Sequence, residues 1–371
     1  MTDSATNLAW TIPSTASSVT HLLQRSLTIP TAGPHQVLIR LTAVSLNYRD
    51  LLVATRSSEY PGIDGKPGNH KPDLVPCSDG AGVIHAAGPE SKWAGSVGTK
   101  VLLHPNEWLA GDVRNLDLGT TYGGSGSDGP LQQWTVVSDE RVVVAPKHLS
   151  GVESASLQTA GVTAWSAIRE SLDADLGGQL RGWEDGRRLQ GRTVLTQGTG
   201  GVSCFAIQIA AALGATVIVT SSSDAKLAFA KELGATHGIN YTTNPDWDQE
   251  VLRLTEGKGV DHVIELGGAQ TLLKSVKSVR AGGLVSLIGI LSAPQDVPAE
   301  IVPALLFGGK IVKGCVAFSR DATAEFASFA EKHSIKPVIA KEFEFDDAIA
   351  AFEALQHQSA VGKIVIKISN E

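Results

Sequence analysis

The sequence predicts an α/β protein in which a doubly wound parallel sheet is joined to a second, mostly β domain of barrel-like spacing. Three observations carry that prediction. Thr193–Lys226, TVLTQGTGGVSCFAIQIAAALGATVIVTSSSDAK, reads as strand, glycine turn, helix, strand. Strand and helix patterns then alternate across a span of about 120 residues, as in a parallel sheet wound on both faces. Upstream, from about Trp10 to Leu149, short strands separated by Gly and Pro replace that alternation.

Within the first stretch, Thr193 to Thr196 are β-branched or apolar, and the turn Gly198-Thr199-Gly200-Gly201 follows. Val202, Ala206, Ile209, Ala210 and Leu213 then recur at helical spacing until Gly214. A second strand, Val217 to Thr220, comes at once. Glycines in such a turn let the backbone approach a pyrophosphate, while the first amides of the helix point their positive end at its oxygens. The pattern departs from GxGxxG at its third position, Ser203, so on its own it also fits a plain strand–helix connection. The elements that follow favour the nucleotide: a helix over Ala225–Leu233, strands over Asp261–Leu266, Leu284–Gly289 and Lys310–Val316, and a helix over Leu272–Val279.

At the end of the second strand, where a carboxylate would bond the ribose hydroxyls of NAD, stand Ser221, Ser222 and Ser223, with Lys226 in the first turn of the next helix. No acid there repels a 2′-phosphate, and Lys226 offers it a cation, so the expected cofactor is NADPH. Ser223 or Asp224 caps the same helix on either reading.

A chain of 371 residues accommodates two domains of ordinary size. The net charge of −7 and a pI near 5.8 argue against nucleic acid or an anionic membrane as partner. Cys77, Cys204 and Cys315 are far apart and form no CxxC pair, which suggests a reducing compartment. The N-terminal stretch has neither an apolar signal core nor an arginine-rich amphipathic run, and a cytoplasmic protein is expected.

In the β-rich part, Val37–Leu46 alternates, and Ala81–Ala87, Thr99–Leu103 and Trp134–Val137 are further strands. Two loops are long: Arg56–Leu74, and His104–Pro130 with its GGSGSDGP. Ala155–Ile168 reads as a helical run broken by Gly161, and Asp173–Arg192 as an exposed loop. The C-terminal pieces, a helix over Ala322–Lys332, a strand over Pro337–Phe343, a helix over Asp346–Gln356 and a strand over Lys363–Ile368, lack partners of their own. They are expected to complete the first domain, giving 1–155 with 320–371 as one domain and 156–319 as the other, with a cleft between them for the nicotinamide end.

SLNYRDLL at Ser45, CSDGAGVIHAAG at Cys77, TAGVTAW at Thr159, QGTGGVS at Gln197, SSSDAKLAFAKELGA at Ser221 and VGKIVIKI at Val361 together resemble the medium-chain dehydrogenase/reductase superfamily. More narrowly they resemble its zinc-free alcohol-dehydrogenase-like and quinone-oxidoreductase-like branch, in order along nearly the whole chain. The resemblance implies a catalytic domain like chaperonin-10 (GroES), a Rossmann domain, frequent homodimers or tetramers, and hydride transfer from NAD(P)H to a small-molecule substrate. It also implies a set of cofactor contacts: Thr163, Gly198, Thr199, Gly200, Gly201, Val202, Ser203, Ser221, Ser222, Lys226, Tyr241, Gly267, Ile288, Ile290 and Lys363.

Where zinc-dependent relatives carry cysteine and histidine ligands, this sequence has Asn47, Ser78 and Thr159, and His104–Pro130 lacks the cysteines of a structural zinc lobe. Amides and hydroxyls are poor zinc ligands, and a lone His104 does not make a site. The expectation is therefore no metal. Without one, reduction of a C=C conjugated to a carbonyl, or of a quinone, suits protein donors better than reduction of an isolated ketone, because the charge spreads over an enolate.

The candidate catalytic residues are Asn47, Asp50, Tyr60 and Tyr48. Asn47 and Asp50 form the NxxD pattern of the zinc-free branch; Asn47 either donates to a substrate or nicotinamide oxygen or caps the helix through Leu52. Tyr60 lies near where several enoyl reductases of the superfamily place a tyrosine donor. A zinc-free carbonyl reductase or alcohol dehydrogenase is the alternative enzyme, and a non-catalytic NADPH-binding protein, as in lens crystallins of this superfamily, the alternative outside catalysis. The apolar run Ile301–Phe307 before an edge strand at Lys310–Val316 predicts a homodimer through the nucleotide domains.

Overall fold

The structure is a computed structural model, and it describes residues 6–60, 66, 68–124, 126–176, 188–292, 295–357 and 361–370. Two compact units emerge, Met1–Val162 with Phe318–Glu371, and Thr163–Ala317.

The N-terminal part of the first unit contains β1 (Thr6–Thr11), β2 (Leu23–Thr28), β3 (Gln36–Ser45), α1 (Tyr48–Ala54), β4 (Asp79–Ala87), β5 (Lys100–Leu103), β6 (Trp134–Ser138), β7 (Val142–Val144) and α2 (Gly151–Ala155). The second unit follows with α3 (Thr163–Leu176), β8 (Thr193–Gln197), α4 (Gly201–Ala212), β9 (Thr216–Ser221), α5 (Asp224–Glu232), β10 (His237–Asn240), α6 (Trp247–Leu254), β11 (Val260–Glu265), α7 (Leu272–Ser278), β12 (Val279–Leu287), α8 (Ile301–Gly308) and β13 (Ile311–Gly314). The chain then returns to the first unit with α9 (Arg320–His333), β14 (Ile339–Glu344), α10 (Ala348–Gln356) and β15 (Lys363–Lys367).

In the first unit β3 is central. Its ten residues are nearly all buried because β4 and β15 flank it and β6 also pairs with it, all antiparallel, in the order β14-β15-β3-β4-β5-β7. Val37, Ile39 and Leu41 of β3 join Leu103, Phe352 and Ile364 in the core, so the last strand is as integral as the third. The register sets Val365 opposite Ser45, at the end of β3 that leads into α1.

In the second unit the described strands form a six-stranded parallel sheet in the order β10-β9-β8-β11-β12-β13. Leu195, Ile218, Val263 and Val285 form its buried spine, packed by Val251 and Val276 from helices. The strand order reverses between β8 and β11, the switch point where open α/β sheets bind ligands.

Several elements differ from the sequence reading. The run through Gly161 is not broken: a π-helical turn, Gln158–Val162, leads straight into α3. Asp173–Leu176, read as loop, is the last turn of α3; WEDGR, within that same loop reading, lies outside the described residues. β12 starts at Val279, five residues early, with a register shift against β11 opposite its glycines. Ile301–Phe307 is a helix, and β1, β2, β10 and α6 went unread.

Candidate active site

The glycine turn of the second unit sits at the C-terminal end of β8. Gly198 has φ +72°, a conformation that glycine adopts without strain, and its N–H donates to Thr220 O at 2.7 Å, so the turn is fastened to β9. Gly200 is the N-cap of α4 and offers no side-chain cap, which leaves the first amides of the helix uncommitted to one. A Cβ built on Gly200 would meet nothing within 4 Å, so space opens in front of those amides. Ser203, at the departed third glycine, is buried and donates its hydroxyl to Gln197 O at 2.7 Å, holding the turn shut from behind. Open space, unpaired donors and a positive helix end fit a pyrophosphate.

At the end of β9, Ser221 is buried, Ser222 is exposed, and Lys226 is half-buried on α5 with no ion pair among the described residues. Ser223 takes the N-cap position without a side-chain cap bond, and the Asp224 carboxylate accepts from Asn240 Nδ2 at 2.8 Å. Tyr241 lies beside this edge, its N–H donating to Ser221 O at 3.0 Å and its ring 44% exposed.

The ends of β8 and β11 are tied by a network the sequence reading missed. Glu265 is fully buried and accepts from Gln197 Nε2 (2.7 Å), the N–H groups of Gly267 (2.8 Å) and Gly268 (2.9 Å), and the hydroxyls of Thr271 and Ser275. Gln197 Oε1 in turn accepts from Leu266 N and Gly267 N. A buried carboxylate so fully hydrogen-bonded fixes the loop that carries Gly267. Ile288 follows β12 with its N–H on Glu265 O at 2.9 Å, and Ile290 is exposed; Thr163 opens α3. The available signal was a long polar residue, Gln197 and Glu265, at the last position of each of two buried strands.

The first unit gathers a second polar cluster. Asp79, at the start of β4 and fully buried, accepts from Asn47 Nδ2 at 3.0 Å, Ser78 Oγ at 3.1 Å, and Thr159 through both N (3.0 Å) and Oγ1 (2.5 Å). Lys363, on β15 and 4% exposed, donates to Leu46 O at 2.7 Å and Asn47 Oδ1 at 2.5 Å, with Asp79 Oδ2 at 4.0 Å. Burial pulls the Lys363 ammonium below the ordinary lysine value against the pull of Asp79, Asp50 and Cys77. Lys363, which the resemblance sets among the cofactor contacts, makes these hydrogen bonds within the cluster of the first unit. Asn47 stands at the N-cap of α1, and its amide bridges Asp79 and Lys363.

Asp50, three residues on, accepts from Asn47 N at 2.8 Å and from Arg49 Nη1 at 3.3 Å. Burial lifts its carboxyl to about 6, although Arg49 and the Asn47 amide pull the other way. Arg49 Nη2 donates to Tyr60 Oη at 2.7 Å, so that phenol accepts from the guanidinium and its own hydrogen is left to donate. Tyr48, the first residue of α1, packs half-buried against the core. Cys77 precedes the cluster with φ +75°, a strained conformation for a non-glycine, and burial pushes its thiol well above the usual range. Asp79, Arg49 and the engaged state of Lys363 were not foreseen.

Comparison with known proteins matches residues 33–147 to the family described as alcohol dehydrogenase GroES-like domain and residues 201–332 to zinc-binding dehydrogenase. A zinc-type alcohol dehydrogenase-like protein of Schizosaccharomyces pombe is 37% identical over 91% of this chain and 92% of its own length. The zinc-type alcohol dehydrogenase-like protein YogA of Leptosphaeria maculans is 31% identical over the same shares. The crystal structure of a putative alcohol dehydrogenase from Sinorhizobium meliloti 1021 superposes with a TM-score of 0.83 at 34% identity, covering 98% of this chain and 99% of the other.

Proposed function

This chain belongs to the medium-chain dehydrogenase/reductase superfamily, and from that premise we propose that it is a zinc-independent, NADPH-dependent reductase of activated C=C bonds or quinones. The observation that carries the reading is the composition of the cluster around Asp79: an amide, two hydroxyls and an ammonium surround a single carboxylate. These residues do not fit a zinc ion, which takes three or four thiolate, imidazole or carboxylate ligands where this cluster has one carboxylate, and among the described residues no three His, Cys, Asp or Glu side chains gather to hold a metal.

When bound, NADPH supplies the hydride. The amides at the start of α4 hold its pyrophosphate, and Ser221, Ser222 and Lys226 receive the 2′-phosphate, Lys226 being free of any competing carboxylate among the described residues. Tyr60 donates to the substrate carbonyl oxygen, kept in its donor role by Arg49. An oxygen whose charge is shared with a conjugated system asks less of one phenol than an isolated alkoxide does. The alcohol dehydrogenase names of the relatives favour a second reading, a zinc-free carbonyl reductase. A panel of enones, quinones and simple ketones separates the two, and failure to oxidise NADPH with any of them would leave a binding protein only. The functional unit is a homodimer through α8 and β13.

The test of cofactor choice is the pair Lys226→Ala and Ser221→Asp. NADPH is expected to bind at least about tenfold more tightly than NADH, a difference of about 1.4 kcal/mol. Lys226→Ala weakens NADPH and leaves NADH nearly unchanged; Ser221→Asp repels the 2′-phosphate and offers NADH a ribose partner. Equal loss of both cofactors in Lys226→Ala would remove the 2′-phosphate assignment.

A further inference from the structure

One spacing in the cluster around Asp79 is that of two metal ligands, but the charge plan is a different one. Its members come from separate elements: Asn47 from the β3–α1 junction, Ser78 just before β4 and Asp79 at its first residue, Thr159 from the π-helical turn, Lys363 from β15. Ser78 Oγ and Thr159 Oγ1 stand 3.4 Å apart, close to the roughly 3.5 Å between two ligands of a tetrahedral zinc ion. Yet the cation present is the chain's own. Of the two fully buried carboxylates in this region, Asp50 has Arg49 at 3.3 Å and Asp79 has Lys363 at 4.0 Å. Asn47 lies between the members of the second pair, Nδ2 on Asp79 and Oδ1 on Lys363, so the ammonium decides which way round the amide sits.

We infer that the Lys363 ammonium is the resident cation of this cluster, a positioning group that neutralises Asp79, fixes the orientation of the Asn47 amide and excludes a divalent metal from the space between Asn47, Ser78 and Thr159. Without it, Asp79 would be a buried charge facing only neutral donors, and a metal would be the natural way to balance it. With it, any divalent ion brought among these side chains meets a positive charge a few ångströms away in a medium that screens poorly. The inference deepens the zinc-free reading of the proposed function and rests on it.

The test installs ligands and then removes the ammonium. Asn47→Cys, Ser78→His and Thr159→Cys together supply two thiolates and an imidazole; the triple variant, with and without Lys363→Met, is titrated with Co²⁺ and followed by the visible absorption of the tetrahedral ion. Adding Lys363→Met is expected to tighten cobalt binding by at least about tenfold. Equal or weaker binding overturns the inference.

A second measurement needs no engineered ligand: a thermal-unfolding cycle of Asp79→Asn and Lys363→Met in the otherwise unchanged chain. Each single change leaves a charge without its partner and is expected to lower the melting temperature by roughly 5 °C or more. The double variant recovers more than half of the summed loss, and strictly additive losses count against the pairing. Stoichiometric zinc in the purified unmodified protein would sink the zinc-free reading as well, whereas equal cobalt affinity with and without the ammonium sinks this inference alone.

Discussion

Asp50 is a carboxylate whose folded surroundings favour its proton. Burial, the largest cause, lifts its carboxyl from 3.8 to about 6. The folded protein thus holds this proton more tightly than the unfolded chain, so the group's contribution to stability is full below about pH 4 and is lost as pH rises through about 6. Urea midpoints of the unmodified protein relative to Asp50→Asn are expected to fall between pH 4 and 6 and then level; a rising difference there contradicts the assignment. His104 runs the other way. Burial draws it down to about 3, and its ring nitrogens meet Thr323 Oγ1 and Asn106 Oδ1, each at 3.1 Å, so it is a neutral anchor of the long loop. At this scale NxxD was legible because its two residues share one turn of helix. Asp79 and Lys363 were not, since they stand 32 and 316 residues from Asn47 and no local pattern joins them.

The π-helical turn Gln158–Val162 shows how an element can be misread from one residue. Gly161 reads as a break in a helical run, but its lack of a side chain serves packing: a Cβ there would come within 2.3 Å of Phe326 Cε1, on α9, whose ring is fully buried. Gly161→Ala is therefore expected to destabilise the first unit by about 1–3 kcal/mol in denaturant titrations, and Phe326→Leu in the same chain to recover part of it. Because Thr159 sits in this turn and reaches Asp79 from it, the same change should disturb the cluster. Other elements were hidden for plainer reasons. The four residues of β10 are too few to show alternation, and the start of β12 contains Ala281-Gly282-Gly283, which reads as a turn. By contrast β8, α4 and β9 were legible because a strand, a glycine turn and a strongly apolar helix follow one another without interruption.

For the whole molecule, the question left by the fold is what covers α8 and β13. Leu306 is 71% exposed and Phe307 86%, and β13 is one of the two edge strands of the parallel sheet among the described residues. Such an edge joined to such a helix invites a second copy by edge pairing about a twofold axis. Light scattering at micromolar concentration is expected to give a dimer, and Leu306→Asp with Phe307→Asp a monomer; a monomeric unmodified protein would refute the assembly. No described helix is long and apolar enough to cross a membrane. The two-unit layout also imposes an order in time. β15 pairs with β3 across the entire second unit, and Lys363 is made 316 residues after Asn47. At synthesis speeds of about 5–20 residues per second, roughly 15–60 s separate the two. Throughout that interval the nascent chain carries Asp79 without its ammonium, while the continuous stretch between has time to settle its own strands. The polar cluster is thus among the last parts of the protein to close during translation.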